Sequence, residues 1–561
     1  VEGEVSLDVC RRSNRIVPIR RAGWLVGLSL LIVANAPTIG ADRFPAPVAA
    51  MAALCEDCEG AIVDSIVIDN RNIYDLADPR YRSILFRLAN RMHFVTRERI
   101  IRQELLLAVG KPYSEELAAE MARNLRTRFP MNDAWVWAER TDSGRVIVYV
   151  ETIDQWSLKG GLRSVDRSGQ ETNYQVGIEE RNLLGRAQLI SFDYFSREKN
   201  PNYIELAFRE PRLLGRPWAL GLKFRDDPDD MLRYGYLSHA YYSLAQSDRY
   251  SIEFTASEQL HKRFDTDGEL SSRWRTQGEA LDMDYGHRWG PSHRKVELYG
   301  RYRYLHKEIV GDIESFHGDD DFLPDTEDST YHQFSLGGGW SVYEFIVEKR
   351  INGFDYSEDF TLGLGFSALY GRAFLPDLGD HYYDYLTGVI TLSEQFGHTL
   401  VGARYDRSIW FRGDQESRRV TSFEVSAYDN RLSYLTWAAR SLYVADRGGT
   451  ERRLVIGGKS GLRGYPTEFM AGDRLHAFNL EGRFFPGLEL LSVKIGGAIF
   501  TDIGRTWQPG EPLSIEGYRI SAGVGLRLSL ETLRKGKIIR IDASVLEGGG
   551  LEISYATGQY F

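Results

Sequence analysis

Three groups of residues in this chain have types and spacings that could do chemistry. The first is the run 457–466, Gly-Gly-Lys-Ser-Gly-Leu-Arg-Gly-Tyr-Pro. Gly-Lys-Ser after a β-like run suggests a phosphate cradle, but a P-loop needs Gly-x-x-x-x-Gly-Lys-Ser/Thr. The first glycine of that pattern falls at Arg453, and Pro466 comes too soon for the helix that must follow. The second group is the lone pair Cys55 and Cys58. One Cys-x-x-Cys cannot fill a tetrahedral zinc site. It is either a small disulfide of an exported chain or two ordinary thiols in a linker. The third group is a scatter of acids and histidines. The acidic stretches 226–230 and 318–330 offer oxygen ligands, but they lack EF-hand spacing and read as solvated charge. His261, His287, His293, His306, His317 and His332 belong to no Ser/His/acid or paired-acid motif. We expect no catalytic residue, no bound metal and no cofactor.

What remains of the 457–466 run is its arginine. Arg463 carries a planar fork suited to two-point contact with a carboxylate. Gly461 and Gly464 beside it let the backbone turn sharply and pack closely. Such an arginine either meets only water or finds buried acids, and the surrounding elements decide which.

The chain has 561 residues, enough for more than one domain. Its net charge of −10 argues against nucleic acid as a partner. Mean hydropathy is −0.35. That would read as soluble, except that a membrane β-barrel turns only alternate residues to lipid and the average hides them. Residues 22–41 follow Arg20-Arg21. Their basic flank, apolar stretch and small-residue end describe a secretory signal peptide. Residues 1–41 therefore read as leader and signal, with a translation start expected internally, near Val17. Residues 42–59 read as a linker.

Residues 60–154 read as a small α/β module. Ile62 to Ile68 is a β-branched strand. Thr96 caps a helix carrying Ile100, Ile101, Leu105 and Val109, which Gly110 stops. Ser114 caps a second helix, with Glu115 and Glu116 in its first turn and Leu117, Met121 and Leu125 on one face; Pro130 ends it. Residues 134–140 and 145–151 form a hairpin about Thr141-Asp142-Ser143-Gly144. The expected order is β-α-α-β-β.

From 155 to 561 strict alternation replaces any helical period. Ile190, Phe192 and Tyr194 oppose Ser191 and Asp193. Trp218, Leu220, Leu222 and Phe224 oppose Gly221, Lys223 and Arg225. Val524, Leu526 and Leu528 oppose Gly525, Arg527 and Ser529. The runs approach the roughly 9–11 residues that cross a bilayer at a tilt, and their polar faces carry ionised pairs. A sheet in hydrocarbon must close, because open edges leave backbone groups unpaired. At roughly 25 residues per strand and loop, the pattern predicts a membrane all-β fold, a closed antiparallel transmembrane β-barrel of about sixteen strands. Leu551, Ile553, Tyr555 and Phe561 share parity, which places Phe561 at the lipid interface.

The same parity positions the acids. With Phe478, Leu480 and Phe484 outward, Asn479, Glu481 and Arg483 point inward. With Val493, Ile495 and Ile499 outward, Lys494, Phe500 and Asp502 point inward. Arg463, on a loop folded into the lumen, can then reach Glu481 or Asp502.

These residues resemble a family. Leu462-Arg463-Gly464-Tyr465, the run 480–486 and Phe500-Thr501-Asp502-Ile503-Gly504 are similar, in order and spacing, to three motifs of the BamA/TamA superfamily of outer-membrane assembly and secretion barrels, the bacterial surface antigen family. Leu462 stands where that family has Val or Ile. The run 518–530 resembles the strand that follows, and 181–195 with 210–215 resemble the opening hairpins. Residues 60–154 resemble a single POTRA domain and 155–561 the barrel.

The resemblance implies a location in the bacterial outer membrane with the N-terminal domain in the periplasm. It implies insertion or translocation of unfolded client polypeptides, captured by strand addition to the POTRA-like sheet. Its implied partners are the lipid bilayer, those clients, and periplasmic or lipoprotein subunits. It implies a lumen latch of Arg463, Gly464, Tyr465, Glu481, Asp502 and Gly504, on a loop joining strands eleven and twelve. It also implies a weak lateral seam between the first strand, 155–165 with Gly160 and Gly161, and the last, 549–561 with Gly549, Gly550 and Phe561. Glycine weakens strands. The competing reading is a passive or small-solute porin on the same barrel, which leaves the N-terminal module without a role.

Overall fold

A computed structural model of the chain describes residues 55–561 except 56, 169–170, 198–200, 265–269, 317–328, 376–381, 414, 449–453, 459, 467–468, 491–492, 509, 512–513 and 531–537. The expected leader and signal at 1–41, the linker up to 54, His317, the acidic residues 318–328 and Lys459 lie outside the described residues.

The N-terminal domain runs β1 (Val63–Arg71), α1 (Ile84–Met92), α2 (Glu98–Arg102), α3 (Glu115–Arg128), β2 (Met131–Arg140) and β3 (Val146–Asp154). β3 is the central strand, parallel to β1 and antiparallel to β2. Met121 and Leu125 of α3 are fully buried with Ile101, Met131 and Val148. The apolar face expected of that helix is therefore the core face. Cys55 and Cys58 are joined as a disulfide.

Two features differ from the expected β-α-α-β-β order. Helix α1 is additional. Helix α2 is one short turn, preceded by Arg97, because Thr96 is held elsewhere: its N–H donates to Asp154 (2.6 Å). The chain then leaves the helix so that Leu107 enters the core. Packing overrides the helical preference of this leucine-rich stretch.

Twenty strands follow among the described residues. They are β4 (Leu158–Ser168), β5 (Glu171–Glu180), β6 (Leu189–Ser196), β7 (Tyr203–Glu210), β8 (Ala219–Arg225), β9 (Asp230–His239), β10 (Asp248–Phe264), β11 (Leu270–Trp289), β12 (Arg294–Ser315), β13 (Ser329–Glu348), β14 (Glu358–Phe374), β15 (Tyr382–Phe396), β16 (Thr399–Arg412), β17 (Gln415–Leu432), β18 (Leu435–Arg447), β21 (Arg474–Leu490), β22 (Val493–Trp507), β23 (Arg519–Leu530), β24 (Ile538–Leu546) and β25 (Leu551–Thr557). Two further short strands, β19 (Leu454–Ile456) and β20 (Met470–Gly472), pair with each other inside the β18–β21 connection.

The expected sixteen strands are thus an undercount. The wall uses about 20 residues per strand, because connections such as Gly397-His398 and Ser433-Tyr434 are two-residue turns. The strands are ordered as a closed barrel with β25 beside β4, and each strand pairs antiparallel with its neighbour through the other nineteen joints. Alternation sets the two faces. Leu336 and Val524 are exposed on the outside, while Ser335 and Ser521 are buried inside. No helix among the described residues is long and apolar enough to cross a membrane, which says nothing against strands that do.

One mouth of the barrel carries the N-terminal domain. Asn182, after β5, donates to the Phe94 carbonyl (2.7 Å), and Arg212, after β7, pairs with Glu104. After β9, the Leu244 N–H donates to Glu120 (2.6 Å) and the Tyr242 carbonyl accepts from Asn124 (2.8 Å). At the β13–β14 connection, Ser357 donates to Asp133 (2.9 Å) and Asp359 pairs with Arg126. At the β21–β22 corner, Glu489 accepts from Arg80 (3.2 Å) and Tyr81 (3.0 Å). These contacts are spread around the ring, so the domain lies across the mouth. The acidic 226–229 connection is at the other end, where Asp227 pairs with Arg197 (2.6 Å).

Candidate functional site

The β18–β21 connection enters the barrel and brings Arg463 to its wall. Three glycines make the entry possible. Gly461 and Gly464 have φ of +94° and +83°, a region L side chains avoid. A Cβ on Gly464 would lie 2.5 Å from the Ser544 Cβ. Gly504 on β22 leaves room for Ile456 of β19, which its Cβ would strike. Leu462 and Ile456 are fully buried with Leu475, Ala477 and Tyr465 in a small apolar core. The Tyr465 hydroxyl donates to the Ile520 carbonyl (3.2 Å).

Arg463 is 1% exposed. Its Nε and Nη2 donate to the two oxygens of Asp502 at 2.8 and 3.0 Å, and its own backbone N–H adds a third bond to Asp502 (3.1 Å). Its Nη1 donates to Glu481 (2.6 Å). The arginine thus contacts both acids expected from parity, the fork on one and the remaining nitrogen on the other. Of the six residues expected to form the latch, Arg463, Glu481 and Asp502 are joined by ion pairs, while Gly464 packs against Ser544, Tyr465 bonds Ile520 and Gly504 faces Ile456.

The site is larger than the sequence reading. Arg483 donates to Glu481 (3.1 Å), and Arg527 donates to Asp542 (2.6 Å) and Glu481 (3.3 Å). Arg540 forms an ion pair with Asp542 (3.3 Å). Asn479 bonds both Asp502 (2.8 Å) and the Gly461 carbonyl (3.0 Å). Four guanidiniums therefore share three carboxylates. Aromatic faces meet the cluster's extra positive charge, with Arg463 3.6 Å from the Phe500 ring centroid and 4.1 Å from that of Tyr560, and Arg540 4.7 Å from Tyr560. Such faces attract cations most strongly where water is excluded. Arg483, Arg527, Arg540 and Asp542 share the inward parity of Glu481 and Asp502, so the signal existed. What parity lacked was the register that brings them level.

Phe561 is not at the lipid face. β25 ends at Thr557, and Gly558, with φ +84°, turns the chain inward. The Phe561 carbonyl accepts from Arg483 (2.8 Å) and its ring lies 5.2 Å from that guanidinium. The expected seam glycines divide. Gly160 and Gly161 lie in β4, paired with Ile178 and Gly177 of β5. Gly549 and Gly550 belong to the β24–β25 turn, not to the seam strand: Gly549 has φ +84° and donates to the Leu546 carbonyl (2.8 Å). Five wall strands follow the loop, as expected, but fifteen precede it among the described residues. The loop therefore does not join the eleventh and twelfth.

His93, Asp154 and Ser157 form a catalytic-looking trio that no local sequence motif signals. His93 contacts Asp154 (3.0 Å) and Ser157 (3.3 Å). Ser157 and Asp154 are fully buried and His93 nearly so, which leaves no face for a substrate. The trio ties the end of β3 and the approach to β4 to the helical layer. Among the described residues no group of three or more His, Cys, Asp or Glu could hold a metal.

No family model and no curated protein sequence matches the chain. Among solved structures, it is similar to CdiB from Escherichia coli at 14% identity, over 89% of this chain and 76% of that one, with a TM-score of 0.42. It is similar to CdiB from Acinetobacter baumannii at 11% identity, over 89% and 73%, with a TM-score of 0.36. It is also similar to BamA from Haemophilus ducreyi lacking POTRA domains 1–3, at 11% identity over 88% and 84%, with a TM-score of 0.36.

Proposed function

We propose that this chain is an outer-membrane β-barrel that inserts or translocates client polypeptides, with its N-terminal domain handling them in the periplasm. The observation that carries the reading is that both ends of the barrel are engaged: a domain lies across one mouth and a latched loop enters from the other. A diffusion pore has no need of a domain across its mouth. The alternating faces and barrel order suit a bilayer.

Clients add a strand to the edge of β2 beyond Ala134, whose carbonyl accepts from Arg126 (2.7 Å). The other edge strand, β1, is already occupied near its start, where Val63 bonds Lys111 (2.9 Å) and Ala61 bonds Tyr113 (2.8 Å). The client leaves sideways between β4 and β25. Arg463 acts as a structural latch that keeps the wall from β21 to β24 rigid while that joint opens, and it does no chemistry.

Depleting the protein and profiling outer-membrane and surface proteins tests the reading, and loss of a discrete client set is expected. An unchanged profile with steady open conductance of the reconstituted chain would leave the porin. A disulfide engineered between β4 and β25 should stop client handling while the barrel stays folded. Full activity of the cross-linked form would argue against a lateral exit.

A further inference from the structure

Helix α1 turns its apolar side away from its own domain. Ile84, Leu85, Leu88 and Met92 are 71%, 63%, 52% and 53% exposed. At helical spacing all four fall within an arc of about 100°. The other side of the helix is the packed one: Phe86 is buried against Tyr74 and Tyr81, with ring centroids 4.7 and 5.2 Å away. A soluble domain has no use for such a stripe, and an exposed apolar stripe marks an interaction site.

Its position says what covers it. The turn before α1 is fastened to the barrel rim at the β21–β22 corner, where Tyr81 and Arg80 both donate to Glu489. On the opposite pleat, Leu488 and Leu490 are 58% and 64% exposed on the barrel's outer face. The stripe thus begins beside the edge of the lipid-facing band. Its flank is basic, with Arg82, Arg87 and Arg91 all exposed. A short helix with apolar residues on one side and arginines along its border is the pattern of a helix lying in a membrane interface.

We infer that α1 lies in the leaflet surrounding the domain-bearing mouth, with Leu85 and Leu88 among the upper acyl segments and the arginines at anionic headgroup phosphates. The inference rests on the membrane-barrel reading. It gives the docked domain a second support, independent of the turns it touches.

The test uses the full chain in nanodiscs of phosphatidylcholine, with or without phosphatidylglycerol, carrying an environment-sensitive dye at Leu88→Cys. The same dye at Leu336→Cys, an outward wall position that is 68% exposed, reports on the barrel. Lipid brominated high on the acyl chain should quench both dyes at least twofold, while aqueous iodide should quench neither. The Leu88 quenching should strengthen with phosphatidylglycerol. If the Leu336 dye is not quenched by lipid, the membrane reading itself fails. If Leu336 is quenched but the Leu88 dye stays open to iodide, α1 faces water and the inference falls. If the Leu88 dye is shielded from both quenchers, a second copy or a polypeptide covers the stripe, and the inference falls equally.

Discussion

The guanidinium of Arg463 lies 4.1 Å from the ring centroid of Tyr560, and the Tyr560 hydroxyl donates to the Gly458 carbonyl of the same loop (2.9 Å). The loop that enters the lumen and the residues after the last strand are therefore one packed unit. Replacing Tyr560 with Ala removes a desolvated cation–π contact of about 1–2 kcal/mol and a hydrogen bond of about 1 kcal/mol. Tyr560→Phe removes only the hydrogen bond and should cost the smaller share. Proteolysis of the 457–466 loop in native vesicles is the readout. Equal cleavage of the two variants would mean that the ring contributes nothing.

Arg463→Ala leaves Asp502 and Glu481 buried beside three remaining cations, and Asp502→Ala leaves Arg463 with one acid contact fewer. Each loss should cost about 3–5 kcal/mol, less where water replaces the missing partner. The double variant should be no worse than the more damaging single one, because the second change removes a group that has already lost this contact. Arg463→Lys should not restore the wild type, since an ammonium cannot make the forked contact. Denaturant unfolding in lipid vesicles gives the cycle. Strict additivity would contradict a 2.8 Å contact.

How far the sequence carried this site depends on the range of the signal. Inward parity is local, so Glu481 and Asp502 were legible from their own strands. The meeting of Arg483, Arg527, Arg540 and Asp542 needs register across β21 to β24, which no single strand contains. Parity carried through Gly558 puts Phe561 on the outer side, but one residue at positive φ breaks the period and the chain turns inward. The strand count failed on turn length, which alternation does not encode. Helix α1 is not legible as a core-facing period, because its apolar stripe has no partner in its own domain.

Gly464→Ala isolates the fit of the loop. A positive φ costs an L residue about 1–2 kcal/mol, and the new Cβ would also press on the Ser544 Cβ and Leu546, adding about 1–3 kcal/mol of overpacking. Gly487→Ala is the control, because Gly487 has φ +73° with nothing within 4 Å of a Cβ. It should carry the backbone cost alone. Adding Ser544→Gly to Gly464→Ala should recover the Ser544 part of the steric share and bring that variant toward the control. Melting temperatures of the three variants decide it; equal losses for Gly464→Ala and Gly487→Ala would mean the loop does not press on β24.

Docking of the N-terminal domain leans on Arg126 and Asp359, each with a side chain only 6% exposed. Arg126 also donates to the Ala134 carbonyl (2.7 Å), tying the pair to the domain's own sheet. Removing either partner takes from a buried charge its closest counter-ion, at a cost of about 3–5 kcal/mol, which the domain avoids by lifting from the rim. Arg126→Ala and Asp359→Ala should each raise single-channel conductance in planar bilayers and quicken protease cleavage near residues 155–157. The double variant should match the singles rather than exceed them. Because the pair is largely shielded from solvent, raising the salt concentration should leave the wild-type domain docked, whereas an exposed pair would be screened. Wild-type conductance and cleavage in both single variants would show that the mouth is covered without this ion pair.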